Sequence, residues 1–265
     1  MPIVGRTTRM GVIGAALLMS LSACAADTPN GTPDQRVTIT VFAAASLKGS
    51  FSEIGKEFES ENTGVTMKFN FAGSTDLVAQ LKQGAPADVF ASADIANMVK
   101  VAKDDLVTGT PTPFASNTLE IATPPDNPAG VDSLSDLTSP FVKVVLCAAE
   151  VPCGAAARDI AKAANLTINP VSEEQSVTDV LGKVISGEAD AGLVYVTDVK
   201  AARDKVNGVT FPESSKAVNI YPITALSHSR NIEVAKAFVE FVLGPEGQEI
   251  LADAGFAKPT AGNAS

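Results

Sequence analysis

The sequence predicts an α/β fold in which helices flank parallel sheets. Short apolar, strand-like runs alternate with helix-like segments along most of the chain, which is typical of this class. From Val37 onward the 265-residue chain is long enough for one large or two small domains. No internal repeat or coiled-coil heptad is visible, so the alternation itself defines the organisation.

The first half of the chain shows this alternation most clearly. Phe51, Ile54 and Phe58 recur at helical spacing and predict one buried helix face. The predicted strands here are 37–42, 65–71 and 88–91, and the predicted helices are 47–60, 75–83 and 95–103.

The second half repeats the pattern after 111–117, a segment with two prolines that we interpret as a connection. Gly244 is predicted to end one helix and Pro245 to begin the last one, since these residues favour those positions. The predicted strands are 118–122, 142–147, 191–196 and 218–226, and the predicted helices are 154–164, 177–186, 232–243 and 245–254.

Two strand-to-helix turns carry the first functional signal. Each turn consists of small residues and places a serine, Ser46 or Ser74, at the start of a helix. Free N–H groups and the helix dipole make such a terminus attractive to an anion, and a hydroxyl adds another donor. Serine is also an ordinary N-cap, so one turn alone would be weak evidence. Two turns in one domain favour a shared anion site.

The amino terminus predicts export. Arg6 and Arg9 precede an apolar run that is too short for a confident membrane span. The run ends in Leu-Ser-Ala-Cys at 21–24, which resembles a lipobox and predicts a signal at 1–23 with lipidation of Cys24. The alternative is an ordinary secretory signal with an incidental cysteine. Residues 24–36 are polar and predict a flexible tether.

Charge and cysteine content narrow the class further. Removal of 1–23 changes the net charge from −10 to −12, because two arginines and no acidic residue are lost. This balance disfavours nucleic acid as a partner. Cys147 and Cys153 lie close enough in sequence for a disulfide in an oxidising compartment, and this pairing is left open. With only His228 in addition, the chain lacks four ligands for a metal ion.

Several motifs together resemble the molybdate-binding proteins of ABC transporters over nearly the whole mature chain. The matching segments are 41–47 (VFAAASL), 84–94 (GAPADVFASAD), 192–195 (GLVY), 244–247 (GPEG) and 254–256 (AGF). The resemblance implies a periplasmic-binding-protein clamshell of type II, with two α/β domains joined by a two-crossing hinge near 115–117 and 218–221. Domain 1 would be 37–114 plus 219–259, and domain 2 would be 115–218.

The family's oxyanion contacts imply five binding residues here. Ser46 and Ser74 would each give a hydroxyl and a backbone N–H, and Tyr195 would donate its hydroxyl. Cys153 and Val177 would give backbone N–H groups. The ligand would be molybdate or tungstate, held only through its oxygens, and no separate cofactor is expected.

The chemistry of these positions agrees with that ligand. All five can donate a hydrogen bond and none brings a charge, which suits a fully deprotonated tetrahedral oxyanion. Asp76 follows Ser74 closely and is interpreted as complementing the helix dipole. If Asp76 instead faced the cleft, it would repel a dianion or accept a hydrogen bond from hydrogen phosphate, which would favour phosphate as the ligand.

The resulting prediction is a monomeric receptor, lipid-anchored outside the cytoplasm, that delivers molybdate to an ABC transporter permease. Receptors for sulfate, thiosulfate or phosphate remain alternatives within the same class, because sequence gives no cavity size. An extracytoplasmic hydrolase is not expected, since there is no Gly-x-Ser-x-Gly motif and His228 has no evident catalytic partner. A surface adhesin is the third alternative.

Overall fold

A computed structural model describes residues 36–259 of the chain. The predicted signal peptide, the lipidation site Cys24 and all of the predicted tether except Arg36 lie outside these residues. Within 36–259 none of the helices is both long and apolar enough to span a membrane. Two five-stranded mixed sheets with flanking helices make up the fold, so the predicted α/β class is confirmed.

The first sheet has the strand order β2-β1-β3-β10-β4. Strands β1, β2 and β3 are parallel, whereas β10 runs antiparallel to both of its neighbours. The strands are β1 (Val37–Ala44), β2 (Val65–Ala72), β3 (Val89–Ala91), β4 (Thr112–Asn117) and β10 (Asn219–Ala225). The helices that follow or cover them are α1 (Lys48–Glu61), α2 (Ser74–Lys82), α3 (Ile95–Lys103), α7 (Ile232–Leu243) and α8 (Pro245–Ala254).

The second sheet has the order β7-β6-β8-β5-β9 and follows a similar plan. Strands β6, β7 and β8 are parallel, and β5 is antiparallel to β8 and β9. The strands are β5 (Leu119–Thr123), β6 (Val144–Cys147), β7 (Ser172–Glu174), β8 (Ala191–Tyr195) and β9 (Asn207–Val209). The helices are α4 (Pro152–Ala163), α5 (Val177–Ile185) and α6 (Val196–Ala202).

The chain passes between the sheets twice. It leaves the first sheet between β4 and β5 and returns between β9 and β10. β4 and β10 lie side by side as an antiparallel pair, so the two crossings are adjacent. The predicted division into two domains with boundaries at 115 and 219 stays a prediction.

The structure differs from the sequence prediction mainly in short elements. Strand β4 was expected as a connection because of Pro111 and Pro113. It forms at the edge of its sheet, where a residue that lacks an N–H group is tolerated. Strands β7 and β9 have three residues each, too few to show periodicity, and α6 follows β8 without an intervening loop.

Aromatic residues fill the core beneath the first sheet. Phe51, Phe58 and Phe238 are almost fully buried and pack with ring centroids 5.3–6.2 Å apart. Phe51 and Phe58 come from the predicted buried face of α1, and Phe238 comes from α7. This packing fixes α1, and therefore the turn that precedes it, against the sheet.

Candidate functional site

A small cavity lies where the carboxyl ends of strands from both sheets meet. Its volume is about 10 Å³, near the minimum that holds one water molecule, so a larger ligand would need the surrounding residues to move apart. All five predicted residues line it: Ser46, Ser74, Cys153, Val177 and Tyr195. The rest of the lining is small or apolar: Ala44, Ala45, Gly73, Ala93, Val151 and Pro152.

We call Ser46 and Ser74 the first wall of this cavity, because they follow β1 and β2 of the first sheet. Cys153, Val177 and Tyr195 form the second wall, because they belong to α4, α5 and β8 around the second sheet.

Four helical segments begin at the cavity. They are the short 3₁₀ turn Ala45–Leu47 that leads into α1, and helices α2, α4 and α5. In the part of the chain that the structure describes, no side chain caps the first three of these termini. The first N–H groups of a helix have no partner within the helix, so they are available to a ligand. The helix dipoles add partial positive charge at the same place.

The two serines of the first wall are each held by a hydrogen bond to a distant part of the chain. Ser74 is 1% exposed, and its Oγ accepts the N–H of Ala93 at 3.0 Å. The Oγ of Ser46 lies 3.0 Å from the hydroxyl of Tyr221 on β10. Each serine therefore has a fixed oxygen position at the edge of the cavity.

Tyr195 contributes a buried hydroxyl to the second wall. Among residues 36–259 its Oη has no hydrogen-bond partner, an uncommon state for a buried polar atom. Burial, followed by nearby charges, raises the pKa of Tyr195 well above its ordinary value, so the hydroxyl keeps its proton. A ligand oxygen in the cavity would satisfy this donor.

Asp198, at the start of α6, holds the backbone of Tyr195. The N–H of Tyr195 donates to Oδ2 of Asp198 at 3.0 Å. Burial raises the pKa of Asp198 to about 7, while the hydrogen bond from Tyr195 opposes that rise. Asp198 does not itself line the cavity.

The turn before α4 is fixed covalently. Cys147, at the end of β6, and Cys153 form a disulfide with a Cα–Cα distance of 5.7 Å. At the next residue, Gly154, a Cβ atom would overlap the carbonyl oxygen of Ala148, so only glycine fits there. The turn therefore packs tightly beneath the N–H group of Cys153.

Within residues 36–259 the cavity lining contains no carboxylate, ammonium or guanidinium group. Asp76 is half-buried in the first turn of α2 but is not part of the lining, which fits the interpretation that it complements the helix dipole. His228 is exposed and lines a separate groove of about 720 Å³ with Lys82 and Arg230. Across residues 36–259 no cluster of three or more His, Cys, Asp or Glu side chains is arranged to hold a metal ion.

Sequence reasoning missed three residues that support this site: Ala93, Asp198 and Tyr221. Ala93 acts through its backbone, and Asp198 is one of several acidic residues at helix starts, so neither has a distinctive signal. The chain contains only two tyrosines, and both lie next to the cavity. That scarcity is the one signal that could have drawn attention to Tyr221.

Comparison with known proteins assigns the class and then the family. Residues 39–257 match the family model described as bacterial extracellular solute-binding protein, so the chain is a solute-binding protein of that class. It is 48% identical over 253 residues to the molybdate-binding protein ModA of Mycobacterium tuberculosis H37Rv, covering 94% of this chain and 97% of that one. The chain belongs to the ModA family of molybdate-binding proteins.

More distant relatives agree with this assignment. ModA of Escherichia coli K12 is 33% identical over 228 residues, which cover 82% of this chain and 88% of that protein. The periplasmic molybdate-binding protein of Azotobacter vinelandii superposes with a TM-score of 0.74 at 21% identity, covering 84% of this chain and all of that one. The expected type II periplasmic-binding-protein fold is thereby confirmed.

Proposed function

We propose that this chain is an extracytoplasmic receptor that captures molybdate, and also tungstate, and delivers it to an ABC importer. The observation that carries the proposal is the convergence of four helix N-termini and three hydroxyl groups on a cavity with no charged side chain. Such a cavity offers hydrogen-bond donors and suits a ligand that needs no hydrogen-bond acceptor from the protein.

The proposed ligand contacts are the five residues of the two walls. Ser46 and Ser74 would each donate a hydroxyl and a backbone N–H, Cys153 and Val177 would donate backbone N–H groups, and Tyr195 would donate its hydroxyl. The metal atom would be held only through its oxygens. About seven charge-assisted bonds of about 1.5–3 kcal/mol each, less the cost of ordering and closure, are compatible with sub-micromolar affinity.

The donor-only cavity favours an oxyanion that carries no proton. Molybdate and tungstate are fully deprotonated near neutral pH and have only acceptor oxygens. Hydrogen phosphate brings an O–H group, and burying that group without an acceptor costs about 1–3 kcal/mol. The acidic net charge does not oppose binding, since local dipoles in a dry cavity outweigh a distant charge that salt screens.

The two walls belong to different sheets, which supports a closing motion as part of the proposal. The anion would first meet Ser46 and Ser74, and the second wall would then close over it as one domain rotates about the β4–β10 crossings. The hydroxyl of Thr75 donates to the carbonyl of Glu150 at 2.6 Å, so a direct contact joins the two sides next to the cavity.

The receptor is further proposed to act as a monomer, anchored to the outer face of the cell membrane through lipid on Cys24. The ABC transporter permease would be its protein partner. Metabolic labelling with palmitate should mark the wild-type protein and leave Cys24→Ala unlabelled. Equal labelling of both proteins would contradict the anchor without affecting the binding proposal.

Titration calorimetry on a Ser46→Ala/Ser74→Ala variant tests the binding site. Losing two charge-assisted hydrogen bonds should weaken molybdate binding at least about 100-fold. The matched control is Ser52→Ala/Ser60→Ala, which removes two serines on α1 whose hydroxyls bond to carbonyls of their own helix, and it should bind as wild type does. Equal affinity of both variants, or tight sulfate binding by the wild type without molybdate binding, would contradict the proposal.

A further inference from the structure

Tyr221 is a buried residue that does not itself line the anion cavity. It is fully buried on β10, in the strand that returns the chain to the first sheet. Its ring packs edge-on against Phe114, Tyr195 and Phe256, with centroids 5.4–6.2 Å apart. This packing fixes the position of its hydroxyl group.

The hydroxyl of Tyr221 meets the Oγ of Ser46 at 3.0 Å, and either oxygen can be the donor. The direction of this bond decides what Ser46 offers to the cavity. If Ser46 donates to Tyr221, the ligand faces an oxygen lone pair. If Tyr221 donates to Ser46, the Ser46 proton is free to point at the ligand.

For Ser74, the other serine of the first wall, the direction of the hydrogen bond is fixed. Its Oγ accepts the N–H of Ala93, and a backbone amide nitrogen cannot accept in return. The proton of Ser74 is therefore free to point at the cavity, which Ser74 lines. Among residues 36–259 no backbone N–H donates to Ser46 Oγ, and the Tyr221 hydroxyl takes that place.

We propose that Tyr221 is a positioning residue that donates a hydrogen bond to Ser46, so that the Ser46 proton points at the bound anion and the site disfavours protonated oxyanions. The proposal rests on the proposed function and extends it to how the ligand class is selected. Tyr221 acts through Ser46 and makes no contact with the ligand.

The surroundings of Tyr221 keep its proton in place. Burial is the main reason that its pKa lies well above the ordinary value, and the Asp198 charge adds to the rise. Tyr221 therefore remains a neutral hydroxyl that can donate.

A double-mutant cycle on the full-length protein tests this role. The four proteins are wild type, Tyr221→Phe, Ser46→Ala and the double variant, with molybdate affinity measured by titration calorimetry. Tyr221→Phe should weaken binding about ten-fold, the effect of one misdirected hydrogen bond to a charged ligand. In the Ser46→Ala background the same change should alter affinity by less than about two-fold, because the group it directs is absent.

The outcomes separate this inference from the proposed function. If Ser46→Ala binds molybdate as wild type does, the proposed site is wrong. If Ser46→Ala is weakened while Tyr221→Phe binds as wild type, only the role of Tyr221 is overturned. Independent, additive losses in the double variant would also overturn it, because they would mean that Tyr221 acts by another route.

Ligand selectivity gives a readout that loss of packing would not change. Hydrogen arsenate is a tetrahedral oxyanion that carries a proton, and it can be measured by competition with molybdate. In Tyr221→Phe, Ser46 is free to accept a hydrogen bond from the O–H group of hydrogen arsenate. The preference for molybdate over hydrogen arsenate should therefore fall about ten-fold or more. An unchanged preference would contradict the proposal.

A second variant covers the case in which Tyr221→Phe does not fold. The chain has two tyrosines, so in Tyr195→Phe protein every incorporated tyrosine analogue occupies position 221. Fluorotyrosine keeps the ring and makes its hydroxyl a stronger donor. Tighter molybdate binding than in the unfluorinated Tyr195→Phe protein supports the donor role, and equal or weaker binding overturns it.

Discussion

The two walls of the cavity present the same chemistry by different means. The first wall would use side chains, because Ser46 and Ser74 add hydroxyls to their backbone donors and each hydroxyl oxygen is hydrogen-bonded to a buried group. The second wall would rely more on backbone N–H groups, at Cys153 and Val177, because neither a disulfide-bonded cysteine nor a valine has a side-chain donor. A disulfide and a glycine fix the backbone beside Cys153. A donor cavity can thus be built without recognisable polar side chains.

Removing the disulfide should disturb the second wall more than any change at Asp198. Replacing both cysteines, as Cys147→Ala/Cys153→Ala, should lower the free energy of unfolding by about 2 kcal/mol, because the unfolded chain loses a cross-link that closes a short loop. Molybdate affinity should also fall by about ten-fold, since the N–H of Cys153 is less firmly placed. Denaturant unfolding and calorimetry measure the two effects.

Reduction provides the control for that change. A dithiol reductant should move the wild-type protein toward the behaviour of the variant and leave the variant unaffected. Unchanged affinity after complete reduction would mean that glycine packing and Pro152 alone fix this part of the second wall.

A smaller effect is expected from Asp198, which holds the backbone of Tyr195. Its pKa of about 7 in the folded protein exceeds the ordinary value of 3.8, so folded protein keeps a proton that the unfolded chain releases. The free energy of unfolding should therefore fall as pH rises through this interval, by about 1 kcal/mol between about pH 6 and about pH 7.5. Denaturant titrations of the ligand-free protein at both pH values measure it.

Asp198→Asn is the matched variant for this test. Its amide oxygen can still accept the N–H of Tyr195, but the residue does not titrate. The variant should lose this part of the pH dependence, and the same slope in both proteins would show that another group is responsible.

The fold could be predicted from the sequence where the spacing of apolar residues shows which face of an element is buried. Helices α3 and α7 occur at the predicted residues, because their apolar spacing is clear. Strand β4 could not be predicted, because Pro113 is compatible with a strand only at a sheet edge, and edge position is a property of the assembled sheet.

The residues of the first wall could be predicted from the sequence more directly than those of the second wall. Ser46 and Ser74 could be predicted from the residues themselves, because a hydroxyl at the start of a helix adds a hydrogen-bond donor to the free N–H groups there. Cys153 and Val177 were predicted only from the family resemblance. Every residue except proline has a backbone N–H, so the residue type does not identify a position that donates through it. Tyr221 was missed because its partner, Ser46, is 175 residues away in sequence.

The most direct test of the account is to locate the metal in crystals of the protein grown with molybdate, using the anomalous scattering of molybdenum. The account predicts one molybdenum peak in the small cavity, with its oxygens within hydrogen-bonding distance of both walls and no charged side chain in contact. A peak in another groove, such as the one lined by Lys82, His228 and Arg230, or an anion bound by a cationic side chain, would contradict it.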